Sequence, residues 1–134
     1  MHFIPTPIDA IIYATGYKTT FAFLDKSTFK SDTDTTYLYR RIISVKHPGV
    51  IFTGLVQPVG PTIPLVEIQG RWLAAVLSGD VDLPDIDTQR SEIADHQKRQ
   101  RETYLDSDRY ALEVDFRIYS RQLTADMHGG KASV

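Results

Sequence analysis

Cysteine is missing altogether from the 134 residues, which excludes disulfides, thiolate metal sites and a thiol nucleophile. That absence fits a cytoplasmic protein. There is no G-x-S-x-G elbow either, so a hydrolase serine has no home. The four histidines, His2, His47, His96 and His128, stand in no H-x-H or H-E-x-x-H spacing and imply no metal site. No apolar run approaches the roughly 18–20 residues that span a bilayer. The opening MHFIPTPID lacks the basic and apolar regions of a signal peptide. Charge of one sign is also lacking: a net charge of −2 leaves no electrostatic footprint for nucleic acid or an anionic membrane. Gly16, Gly54, Gly60 and Gly70 are too scattered for a G-x-G-x-x-G cradle, so nothing here grips a pyrophosphate. Asp85 and Asp87 read as solvated linker charges. Nothing in this inventory performs chemistry unaided.

What is present suits one modest core, with 42% hydrophobic and 24% charged residues. The pattern is α/β, and it is organised around Val50 to Gly79. Val50, Ile51 and Phe52 form a short apolar run that predicts a buried strand ending at Gly54. Pro58, Gly60, Pro61 and Pro64 then mark a turn, with Thr62 as the expected N-cap and Pro64 allowed in the first helical turn. Leu65, Ile68, Trp72 and Val76 make one stripe of an amphipathic helix over 63–78, and Gly79 fits its stop. A strand running through a tight turn into a helix start is where α/β proteins gather orphan N–H groups around polar ligand atoms.

Elsewhere, Ile8 to Ala14 is nearly continuously apolar and predicts a strand covered on both faces. Thr15-Gly16-Tyr17 breaks it, and on these residues alone that is a strand end with a permissive glycine. Phe21 and Phe23 read as core anchors in a loop from Lys18 to Asp34. Tyr37 to Val45 has β character, and the turn residues His47-Pro48-Gly49 allow it to pair with Val50–Thr53 as a hairpin or to stand apart from it. Asp80 to Asp87 is a linker. The polar stretch from Ile86 to Tyr104 predicts an exposed helix marked by Ile86, Ile93 and Ala94, and its Lys98-Arg99-Gln100-Arg101 run is a solvated face. Alternation from Tyr110 to Ile118 predicts a strand, which gives way to a helix near Asp115.

GLVQP at Gly54–Pro58 followed by PLVEIQGRW at Pro64–Trp72 resembles the C-terminal signature of flavin-containing monooxygenases. DAIIYATGY at Asp9–Tyr17 resembles the ATGY motif that precedes it, and Leu83-Pro84 with YLDSDRYALEVDF at Tyr104–Phe116 is similar to the closing segment. The resemblance runs from about Ile8 to Leu123. It implies an incomplete two-dinucleotide-binding fold with a few strands and two to three helices, residues 1–124 being its C-terminal part and 125–134 a disordered tail. It also implies FAD and NADPH as cofactors. The implied activity is oxygenation of soft nitrogen or sulfur centres in small molecules through a C4a-hydroperoxyflavin, in preference to Baeyer–Villiger chemistry. The residues it places near the flavin are Thr15, Gly16, Gly54, Gln57, Thr62 and Ile63, and it assigns no catalytic residue here. Both dinucleotide fingerprints are missing, so the chain is expected to be inactive alone and to need its N-terminal half or to self-associate. Leu65, Ile68, Trp72, Ile11 and Val114 are then expected to be incompletely buried. Two alternatives remain: a non-catalytic module that docks on a separate FAD-binding chain, or an orphan fragment.

Overall fold

A computed structural model describes residues 8–14, 20–25, 29–30, 35–103 and 112–129. Among them are three helices and four short strands, a small α/β arrangement. A 3₁₀ turn at Thr35–Tyr37 leads into β1 (Leu38–Tyr39), which pairs antiparallel with β2 (Ile43–Ser44), Leu38 opposite Ser44. The expected single strand over Tyr37–Val45 is therefore folded back on itself. Arg40 and Arg41 make the reversal with φ of 50° and 59°, and the N–H of Ile42 donates to the carbonyl of Tyr39 at 3.0 Å. Two consecutive positive φ values closed by that bond are the geometry of a type I′ turn, which ordinarily asks for Asn-Gly. A pair of arginines carries no such signal.

The Val50–Phe52 strand survives only in part. Ile51 forms a single antiparallel bridge to Ile43, with Phe52 N–H donating to Ile42 and Ser44 N–H to Val50. This is the hairpin pairing, but Ile51 is exposed, so the expected burial fails. Phe52 instead turns towards a small aromatic cluster with Phe21 and Phe29, ring centroids 5.0 and 5.4 Å away. Phe29 is buried there and Phe21 half-buried, whereas Phe23 is 82% exposed and anchors no core.

The second sheet positions the rest. Strand β3 (Gln57–Val59) pairs parallel with β4 (Glu113–Asp115), Gln57 opposite Glu113 and Val59 opposite Asp115. Pro58, a turn signal in the sequence, lies instead within β3; a two-stranded sheet is all edge, and an edge tolerates a residue without an N–H. Each strand runs directly into a helix: β3 into α1 (Thr62–Ser78), and β4 into α3 (Phe116–Met127), which packs on α1. Between them α2 (Ile86–Thr103) lies against β1. The expected tail from 125 onward begins too early, because α3 continues to Met127.

Three positions explain these boundaries. Pro61, extended at φ −73° and ψ 127°, is the cap of α1, and Thr62 is already helical, so Thr62 is not the N-cap. Gly79 closes α1 in the left-handed region at φ 82°, a conformation glycine adopts without a Cβ penalty. Asp115 caps α3 by accepting the N–H of Ile118 at 2.9 Å.

Leu65, Trp72 and Leu123 are fully buried and join Tyr39, Ile42, Val56, Ile93, Val114 and Tyr119 in one core. The expectation that Leu65, Trp72 and Val114 would be left partly open is thus wrong: all three are buried, and α3 packs on α1. Ile68 is half-buried and Ile11 is exposed. The buried strand expected at Ile8–Ala14 is not formed. Ile12 is 91% exposed, and no described strand lies alongside to take up the segment's backbone N–H and C=O groups.

Candidate functional site

The two parallel β–α units set two helix starts side by side, and their chemistry differs. At α3 the Asp115 carboxylate occupies one of the free N–H groups, that of Ile118. At α1 no side chain caps the helix, and Thr62 and Ile63 are both exposed, Ile63 at 84%. Unoccupied N–H groups and the positive end of a helix dipole favour an electron-rich partner. Gln57 opens β3 five residues earlier with an exposed side chain, an amide that can both donate and accept. Gly60, between the two, has φ 136°, and a Cβ there would come within 3.3 Å of Phe116. The turn is therefore held close to the start of α3.

Gly54 is fixed from behind. It has φ 76°, and its N–H donates to Gln69 Oε1 at 2.8 Å. Gln69, fully buried on α1, donates in turn from Nε2 to the Tyr119 hydroxyl at 2.8 Å. That hydroxyl donates to the Arg40 carbonyl. Burial pushes the Tyr119 phenol up to about 12, so it stays protonated and able to donate.

Beyond this chain of bonds lies an ionic hub. The Arg40 guanidinium, on the strained turn, reaches Asp126 through Nε at 2.7 Å and Glu92 through Nη1 at 2.5 Å. Trp72 Nε1 donates to the same Asp126 at 3.0 Å. Burial alone would lower the Arg40 pKa, but the Asp126 hydrogen bond and charge raise it above its ordinary value. Neighbouring Arg41 is buried with the neutral Gln100 Oε1 as its acceptor at 3.2 Å, and burial draws its pKa down to about 10. A cleft of about 330 Å³ beside the hub is lined by Tyr39, Trp72, Asp80, Asp82 and Asp126.

Of the six residues singled out in the sequence, four lie along this one β–α unit: Gly54 just before β3, Gln57 at the start of β3, and Thr62 and Ile63 at the start of α1. Thr15 and Gly16 lie outside the described residues. Glu67 and Arg71 form an exposed i, i+4 ion pair, and Trp72 is core. Sequence reasoning missed Gln69, Tyr119 and the Arg40–Asp126 pair. Gln69 falls in the otherwise apolar stripe of α1, one position from Ile68, and that is the signal that could have found it. Among the described residues no three His, Asp or Glu gather to hold a metal. Nor, among them, is any helix long and apolar enough to cross a membrane.

The described residues thus form a small α/β arrangement in which a parallel pair of β–α units leaves the start of α1 without a side-chain cap. The chain belongs to the flavin-binding monooxygenase-like family, whose pattern matches residues 3–134. It is 34% identical over 124 residues to flavin-containing monooxygenase 5 of Homo sapiens, covering 91% of this chain and 23% of that protein. Against flavin-containing monooxygenase 5 of Cavia porcellus it is 33% identical over 129 residues, with coverage of 95% and 24%. Flavin-containing monooxygenase 3 of Macaca mulatta is 31% identical over 120 residues, with coverage of 88% and 22%. The chain thus spans about a quarter of the length of these relatives.

Proposed function

We propose that this chain is the C-terminal, flavin-facing segment of an FAD- and NADPH-dependent monooxygenase that oxygenates soft nitrogen or sulfur centres of small molecules, and that it is inactive alone. The observation that carries this reading is the contrast between the two helix starts: α3 is closed by its own Asp115, and α1 is left open beside Gln57.

The residues present fit the ring of a flavin and not its diphosphate. The N–H groups of Thr62 and Ile63 suit the electron-rich edge of the ring, and they favour it most when it carries negative charge. Gln57 orients the ring through its amide, and Gly54 sets the turn that presents Gln57; Thr15 and Gly16 are assigned to the cofactor by the family resemblance alone. When bound, FAD supplies the redox chemistry, taking electrons from NADPH and activating dioxygen. The protein's part is to bind, orient and keep water from that face. An incomplete two-dinucleotide-binding fold accounts for both the open helix start and the missing glycine cradle.

Affinity follows from this inventory. Two or three neutral hydrogen bonds at ~0.5–1.5 kcal/mol each give at most about 4.5 kcal/mol, and about 4 kcal/mol corresponds to only millimolar binding. Titration of FAD followed by flavin fluorescence should therefore show no micromolar binding to the lone chain. Joined to the N-terminal dinucleotide-binding region of a relative, the chain should yield a yellow, NADPH-oxidising protein. In that protein Gln57→Ala should weaken FAD binding or uncouple NADPH oxidation from oxygenation, while Lys98→Ala does neither. Micromolar FAD binding by the lone chain would place the site elsewhere.

One observation favours a second reading, a non-catalytic module docking on a separate FAD-binding chain. Ile8, Ile11, Ile12 and Tyr13 form an exposed apolar strip suited to a partner. A partner flavoprotein equally active with and without this chain would select that reading.

A further inference from the structure

Gln69 is a buried amide in the helix face that otherwise contributes Leu65 and Trp72 to the core. An unbonded amide there would be costly, so the site must satisfy it at both ends. The direction of its bonds follows from chemistry alone. Gly54 offers an N–H, which cannot accept, so the oxygen of Gln69 must face it. The amide nitrogen then faces Tyr119 and donates, and the one hydroxyl proton is left for the Arg40 carbonyl. Gly54 N, Gln69 Nε2 and the Tyr119 hydroxyl each donate one bond along this line, which ends on the strained turn that the Arg40–Asp126 pair holds in place.

We propose that Gln69 and Tyr119 are positioning residues for the Gly54–Gln57 turn, setting the angle at which Gln57 is presented to a flavin ring. This rests on the flavin-facing reading of that turn. Neither side chain needs to touch the ring. Gln69 reaches the turn three residues before Gln57, at a glycine whose φ of 76° lets the backbone swing if it is not held. Tyr119 keeps the Gln69 amide from rotating and ties α3 to the same turn. The φ of Gly54 and the direction of the Gln57 amide are therefore set from the core.

The test has two arms, both on the 134-residue chain. In the first, amide hydrogen exchange is followed by NMR at Gly54 and at Gly79, whose N–H is bonded to Val76 at the far end of α1. Gln69→Met removes the acceptor and should speed exchange at Gly54 by about tenfold, the size expected for one lost hydrogen bond of ~1 kcal/mol or slightly more. Gly79 should stay unchanged. Gln69→Glu keeps an acceptor and should restore slow exchange. Acceleration at both glycines alike means a general loosening and overturns the relay, as does no acceleration at all. The second arm adds lumiflavin, which has the ring and no diphosphate, near its solubility limit. In the wild type it should shift the Gln57 side-chain amide and the Thr62 and Ile63 N–H signals. In Gln69→Met the helix shifts should persist, and the Gln57 shift should fall at least severalfold. A Gln57 shift of undiminished size in Gln69→Met overturns the positioning role. Absence of every lumiflavin shift in the wild type, with Gly54 exchange responding as described, overturns the flavin-facing reading and the positioning role with it.

Discussion

His96 lies on α2 with its Nε2 buried and without a hydrogen-bond partner. Burial, then the charges of Arg41 and Arg99, lower its pKa from 6.5 to about 4. The unfolded chain accordingly takes up this proton first as pH falls. The contribution to stability is complete above pH 6.5, declines as pH drops below that value, and is gone below about 4. His96→Leu removes the titration, so its urea midpoint should fall less between pH 7 and pH 5 than that of the wild type. Equal declines in both proteins would show that His96 is not the group responsible. Arg40 behaves differently from its neighbour, because Asp126 and Glu92 compensate its charge while Arg41 faces the amide of Gln100. None of this was legible from residue type. A His or an Arg in a polar run gives no sign of whether it is half-solvated or enclosed, since enclosure depends on residues dozens of positions away.

Among the elements, α1 and the β4–α3 unit were legible for local reasons. A proline-rich turn, a 3.6-residue stripe and a glycine stop define α1. Alternation that gives way at an Asp with capping geometry defines α3. The same locality makes two glycines, one inside α1 and one at its end, separable by experiment. Gly70 lies mid-helix and exposed, with nothing within 4 Å of a built Cβ, so Gly70→Ala should stabilise the chain by roughly 0.5–1 kcal/mol. Gly79 has equally open surroundings but φ 82°, so Gly79→Ala should destabilise it by about 1 kcal/mol. Urea unfolding followed by the fluorescence of Trp72, the single tryptophan, reads both. Shifts of the same sign would contradict the backbone argument. The α2 helix was legible as a helix, but not how it is attached. Only Ile93 of its three marked apolar residues is buried; Ile86 and Ala94 are exposed. The helix is fastened by glutamines, Gln97 to the Thr36 carbonyl at 2.9 Å and Gln100 to the Glu113 carbonyl at 2.8 Å, together with Glu92 on Arg40. Specific amide bonds of that kind leave no periodic trace in a sequence.

On the scale of the whole molecule, the apolar run Ile8–Ala14 was misread because apolar residues signal burial without saying against what. With Ile8, Ile11, Ile12 and Tyr13 all exposed, the lone chain presents an extended apolar strip of a kind that drives association. Sedimentation velocity at tens of micromolar should show oligomers for the wild type, and Ile12→Lys should shift the distribution towards monomer without changing the Trp72 emission. A monodisperse wild-type monomer would mean that the strip is sheltered in solution.

The turn at Arg40–Arg41 has one more consequence, and it concerns time. Both residues sit in a left-handed backbone that their side chains do not favour, and the groups that hold the turn come late in the chain. The Glu92 contact is 52 residues away, the Tyr119 bond 79 and the Asp126 pair 86. During synthesis, which proceeds from the N-terminus, the hairpin emerges long before any of these partners exists. Closing such long loops is entropically costly until several contacts form together. The Arg40–Arg41 turn is therefore expected to become secure only once α3 has left the ribosome and its Tyr119 and Asp126 contacts can form.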